Sequence, residues 1–242
     1  MSPMGGHPDK GRSGVDEPPG ASTLERPSRQ LPSGRHGLPR QYVVDNQRER
    51  ILAAVMQAVS ASSYAETTVG DIITGARLSR RTFYEHFDGK EDCFIAAYDA
   101  AIEAALHTTR ELTAGGESFA VKIRLVLERL VENVVAAPDF AHSCMVEVVA
   151  AGPWALQRRD EAMRTFAALL RDLGQPETAD EVTVPPLAAE LVVGGLHEMV
   201  SARLVQGRAD ALGEELDQMI YCALVPFCGH ARAEALSRGA TA

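Results

Sequence analysis

LSRRTFYEHFDGKEDCF, residues 78–94, decides the fold. Phe83 and Phe87 stand four apart and share one side of a helix with Leu78. That leaves Arg80, Arg81, Thr82, Tyr84 and His86 on the outward and flanking faces. Ser79 is a good N-cap for this helix, and Gly89 ends it before Lys90 opens the next. Upstream, Thr68 caps an earlier short helix with Asp71 three residues on, close to a capping box. Val69, Ile72, Ile73 and Ala76 supply that helix's buried side. Only Arg77 and Leu78 separate the two, which is the short turn of a helix-turn-helix.

The surrounding chain favours helices throughout. Ile51, Leu52, Val55, Ala58 and Val59 recur at helical spacing. Punctuation at Ser62-Ser63, Gly115-Gly116, Pro138, Gly152-Pro153, Gly174 to Pro176 and Pro185-Pro186 divides the rest. The expected helices lie near 45–62, 69–76, 80–86, 90–113, 118–136, 140–150, 153–172, 187–206 and 210–229. No alternating strand pattern and no internal repeat interrupts them. The expected class is all-α: an N-terminal three-helix DNA-binding domain over 41–92 and a C-terminal helical bundle over 93–242. Residues 1–40 hold seven of the 13 prolines and seven of the 20 glycines. A segment of that composition buries too little to offset its chain entropy, and it is expected to be disordered.

The formal charge of −9 is unevenly spread: +2 over residues 1–40, −2 over 41–92 and −9 over the remainder. Such acidity argues against a protein that coats nucleic acid by bulk charge, but permits a small local basic surface. The four cysteines have no CxxC spacing, so reduced thiols in a cytoplasm fit better than a disulfide framework or zinc site. No apolar run approaches the roughly 20 residues of a membrane span. No apolar block near the N-terminus reads as a signal peptide.

A helix built as 80–86 suits the DNA major groove. Arginine bonds guanine bidentately, while Thr, Tyr and His reach phosphates or thymine methyls. Lys90 and the free amides at the next helix start offer a phosphate grip, weakened by Glu91 and Asp92. A merely solvated basic face is the simpler reading of any one of these residues. Helix lengths, turn length and an aromatic anchor together favour DNA.

Residues 47–100 resemble the N-terminal DNA-binding domain of the TetR family of transcriptional regulators. The TTVGDI segment, followed by S-x-x-T-F-Y-x-H-F-x-x-K-E, follows that family's signature nearly position for position. The resemblance implies a homodimer on a palindromic operator, usually repressing and released by a small-molecule effector, with no catalytic activity and no cofactor. By position it places Thr68 and Gly70 at the backbone-facing start of the second helix. It gives Arg80, Arg81 and Thr82 as base or phosphate contacts, and Tyr84, His86 and Lys90 as phosphate contacts. Two positions depart from the pattern. Arg77 stands where glycine is frequent, so it must accept a left-handed backbone or use another turn. Gly70 stands where a basic residue is common, so Arg77 is a candidate for compensation. An inert tail is the better reading of the segment that carries Arg26, Arg29, Arg35 and Arg40; a minor-groove arm is the alternative.

In the body, Leu187, Leu191, Val192, Met199 and Val200, and Leu212 to Phe227, form broad apolar faces. Gly194-Gly195 in mid-helix costs about 1 kcal/mol per glycine, which close approach of another helix would offset. An intermolecular four-helix bundle through about 187–229 is the dimer the resemblance implies; monomer core is the alternative. Phe140, His142, Met145, Trp154, Met163 and Phe166 are candidate effector-binding residues, with His142 the polar anchor; taken one at a time, ordinary core packing is the better reading of each. Glu103, His107 and Glu111 fall four apart, but a solvated helix face accounts for them without a metal. No P-loop, GxSxG or HExxH occurs. A constitutive DNA-binding regulator, and a helical carrier or enzyme with a vestigial helix-turn-helix, are the competing functions.

Overall fold

The computed structural model describes residues 39–174 and 184–239, and among them every regular element is helical. In chain order these are α1 (Arg40–Ala61), α2 (Val69–Ala76), α3 (Arg80–Tyr84), α4 (Lys90–Thr113), α5 (Phe119–Ala136) and α6 (Pro138–Met145). After a 3₁₀ turn (Glu147–Ala151) come α7 (Pro153–Leu173), α8 (Pro186–Val205), α9 (Ala211–Cys228) and α10 (His230–Ser237). Most of the tail and three of its arginines, Arg26, Arg29 and Arg35, lie outside the described residues. The fourth, Arg40, is the first residue of α1. That helix begins before the expected position 45, directly after Pro39, whose missing N–H costs nothing at a helix start.

Two further boundaries differ from expectation. The stretch 140–150 is not one helix: α6 ends at Met145 and a 3₁₀ turn follows. The cause is tertiary, because Val148 is fully buried and the Glu147 carboxylate accepts the Tyr64 N–H at 2.7 Å. α10 was not expected at all. It buries only Ala233 and Ser237, and its end is held by Arg124 of α5, which donates to the Ser237 carbonyl.

The apolar residues gather into two clusters. One joins α1, α2 and α3 to the start of α4, and draws in Val148, Ala151 and Ala155 from the body. The other runs from α5 to α10. α4 belongs to the head at Cys93, Phe94, Ala97 and Tyr98, then continues into the body. Arg158 on α7 clamps it with a bidentate pair to Asp99 at 2.8–3.1 Å. The head therefore rests on the body through α4, α6 and the 3₁₀ turn.

Candidate nucleic-acid interface

α2 starts on a complete capping box. Thr68 Oγ1 accepts from the Asp71 N–H at 3.3 Å, and the Asp71 carboxylate accepts from the Thr68 N–H at 2.9 Å and its hydroxyl at 2.6 Å. These bonds hold the Asp71 carboxyl below its usual pKa. Gly70 follows in the first turn, where a Cβ would sit 3.3 Å from Thr68 Oγ1. Glycine keeps this edge low for a backbone approach.

At the other end of α2, Arg77 takes the left-handed conformation, φ 53° and ψ 47°. Of the two turns open to it, the chain uses the strained one. Its support comes from Arg50 on α1, whose guanidinium donates to the carbonyls of Ala76 and Arg77, the latter at 3.0 Å. Burial, then the Arg77 charge, lowers the pKa of Arg50. Arg50 escaped the sequence reading because its partners lie 26 and 27 residues away.

Ser79 then caps α3, its Oγ accepting from the Thr82 N–H at 3.0 Å and meeting Thr82 Oγ1 at 2.8 Å. Phe83 is fully buried and Phe87 nearly so, as their spacing demands. Tyr84 stands edge-on to Phe83 at 5.3 Å and is half exposed. Arg80 and Arg81 are exposed at the start of the helix. Arg80 has no ion pair or hydrogen-bond partner among the described residues, whereas Arg81 holds Glu85 at 3.0 Å. Of the two, Arg80 is the freer to reach a base.

His86 and Lys90 are turned further inward than a pure phosphate grip requires. His86 Nε2 lies 3.3 Å from Gln47 Oε1, and burial followed by the Arg48 charge depresses its pKa. At neutral pH it is an uncharged ring. Lys90 donates to the Tyr64 carbonyl at 2.6 Å and lies 4.2 Å over the Tyr64 ring. Arg48, missed from the sequence, is exposed beside this face with its guanidinium 5.0 Å from the Phe87 ring centre. Gln47 and Arg50, three apart on α1, form the rear support of the same surface.

A family described as "Bacterial regulatory proteins, tetR family" matches residues 51–97, the capped helices and turn just described. Residues 51–97 thus form a TetR-family DNA-binding domain. It is 29% identical over 150 residues to the HTH-type transcriptional regulator TcmR of Streptomyces glaucescens, a match covering 59% of this chain and 66% of that one. The chain thus spans just under two thirds of that relative's length. Among solved structures, the fatty acid degradation regulator FadR of Bacillus halodurans has TM-score 0.65 at 17% identity, covering 76% of this chain and 95% of that one. FadR of Bacillus subtilis, solved in complex with stearoyl-CoA, has TM-score 0.63 at 16% identity, covering 74% and 97%. These two establish likeness of fold. The head is thus a helix-turn-helix of the kind carried by TetR-family transcriptional regulators.

The residues expected to bind an effector in the helical body are divided between the two clusters and its half-buried or exposed surface. Phe140 packs on the head cluster and Met145 on the body cluster. His142, Met163 and Phe166 are half-buried. Trp154 is 67% exposed, in the first turn of α7 after Pro153, and belongs to neither cluster. Size alone was a poor guide to burial there. His107 and Glu111, weighed above as metal ligands, sit 3.4 Å apart on an exposed face.

Proposed function

We propose that this regulator binds a palindromic operator as a homodimer, represses transcription there, and lets go when a small molecule enters its helical body. It works in the cytoplasm and catalyses no reaction. The carrying observation is the α3 face: Arg80 unpaired, Arg81 and Tyr84 exposed, and Phe83 buried beneath them. A helix anchored this way enters the major groove with its first turn toward the base edges. Thr68, Gly70 and Arg77 flank it on the backbone side, with Thr82, His86 and Lys90 as secondary contacts.

Dimerisation is supported by α8. Leu187, Leu191 and Val205 fall on one helical stripe and are 61–67% exposed. Gly194 lies on that stripe and Gly195 at its edge, and a Cβ on either would meet nothing within 4 Å. The glycines therefore face no other helix among the described residues. A second copy laid along the stripe accounts for both their smallness and the uncovered leucines. Glu198 interrupts the stripe, and the Arg203–Glu215 pair at 2.8–3.0 Å ties α8 to α9 as one unit.

Two recognition helices must sit about 34–36 Å apart to enter successive major grooves. An effector that prefers a different splay would lower operator affinity. The stearoyl-CoA complex of Bacillus subtilis FadR supports reading a body of this fold as a ligand chamber. The test is selection of bound duplexes from random DNA. Inverted repeats should emerge, and Leu191→Glu should give monomers that lose them. Enrichment of single half-sites by a monomeric wild type would defeat the proposal.

A further inference from the structure

α7 packs against both α4 and α8, and Arg159 lies at that junction. It is within electrostatic reach of the Tyr98 phenol on α4 and the His197 ring on α8. Its Nε is sealed from solvent with no hydrogen-bond partner among the described residues. Its ion pair is with the adjacent, largely exposed Asp160, 3.5 Å from Nη1. A dry guanidinium N–H without an acceptor forfeits its hydration and gains nothing in return.

The neighbouring arginine shows the contrast. Arg158 is spent on structure, bonded to Asp99 and to Glu161. Tyr98 is 4% exposed, and its hydroxyl also lacks a hydrogen-bond partner among the described residues. His197 is half-buried with Nδ1 3.5 Å from Ser201 Oγ. Burial, and then the Arg159 charge, lowers its pKa against the opposing pull of Glu198, so the ring is neutral at pH 7. Cys144 of α6 stands beside Tyr98, and burial pushes its thiol up to about 12, which keeps that wall uncharged. The junction thus presents one positive charge and two neutral hydrogen-bonding groups.

We infer that this α4–α7–α8 junction is an effector subsite for a carboxylate monoanion on an apolar body, with Arg159 as its counter-ion and Tyr98 and His197 as neutral hydrogen-bonding partners. The inference rests on the ligand-responsive reading above and adds the effector's chemical class. Arginine's planar fork matches a carboxylate edge. One cation balances one anion. A polyphosphate head would need several, and Asp99, Asp160 and Glu198 would oppose it. Binding there draws together three helices, one of which, α4, carries the head.

The test titrates the full-length protein with dodecanoate and 1-naphthoate, each against its primary amide, by calorimetry below micellar concentrations. At least one carboxylate should bind ten-fold or more tightly than its amide. Arg159→Gln should erase that preference while leaving amide binding unchanged, and Arg159→Lys should restore part of it. Should Arg159→Gln fail to fold, Tyr98→Phe, which deletes one oxygen, must still weaken the carboxylate several-fold and spare the amide. Equal binding of acid and amide, no carboxylate binding to the wild type, or a preference that survives Arg159→Gln or Tyr98→Phe, would overturn the subsite. Amides that release operator DNA with no acid preference would remove the subsite yet keep ligand response. Arg159-dependent carboxylate binding without effect on operator occupancy would do the reverse.

Discussion

The head and the body of this chain solve the same packing problem with different completeness. In the head, the five-residue α3 is closed at its start by Ser79, pinned by a buried Phe83, and preceded by a turn that Arg50 holds from behind. In the body, the twenty-residue α8 leaves Leu187, Leu191 and Val205 in solvent and two adjacent glycines without a neighbour. A short element can be self-sufficient when caps and one aromatic anchor all agree. A long one that is apolar on several sides leaves part of its surface uncovered by its own chain's described helices.

The largest expected effect tests the anchor. Phe83→Ala should destabilise the head by about 3–5 kcal/mol, read by denaturant melting, since a fully buried phenyl leaves a cavity. Trp154→Ala, an equally drastic truncation of an exposed body residue, should stay within roughly 0.5 kcal/mol. Comparable losses would erase the contrast between the two regions.

Next in size is the division of labour on the recognition face. Arg80→Ala should relax base preference at symmetric operator positions by roughly 1–3 kcal/mol. Arg81→Ala should cost less, because Arg81 must first leave Glu85. Binding-site selection with each variant distinguishes them, and an equal or reversed ranking would show that the Glu85 pair does not restrain Arg81.

The helix-turn-helix head was far more legible from sequence than the body, for physical reasons. Capping, aromatic spacing and turn length act over a few residues, and Thr68, Ser79, Phe83 and Phe87 carry them in plain order. What was missed is non-local. No glycine or proline marks the break after Met145; it follows from Glu147 reaching Tyr64 across 83 residues. α10 is eight residues long and packs Ala233, Leu236 and Ser237 inward, too short a pattern to give an apolar stripe. Nothing in the residues around Arg159 distinguishes it from Arg158; only the packing of α7 against α4 and α8 does.

The strained turn gives a smaller test. Arg50→Ala should lower head stability by about 1 kcal/mol, since the carbonyls it serves retain partial access to water. Arg77→Gly should raise it by about 0.5–1 kcal/mol, because glycine accepts φ 53° without the Cβ penalty but loses more chain entropy. Combining the two should recover most of the Arg50 loss. If Arg77 also stands in for the missing basic residue at Gly70, the stabilised Arg77→Gly protein will bind DNA more weakly. Stability and affinity would then move in opposite directions, which a purely structural turn residue would not produce.

The smallest effect is a pH dependence that compares one histidine in each region. His86 in the head and His197 in the body both have depressed pKa values, chiefly through burial. The unfolded chain then binds more protons than the folded one as pH falls below about 6.5, so acidification costs stability and the loss continues until the folded-state pKa is passed. His86→Gln and His197→Gln should each flatten part of that slope in thermal melts between pH 7.5 and 5. DNA affinity separates the inward role of His86 from an outward one. If its ring also meets a phosphate, protonation is favoured on the operator, and binding will strengthen from pH 7.5 to 6 while the free protein grows less stable. If Gln47 is its sole partner, the affinities of wild type and His86→Gln will run parallel across that range.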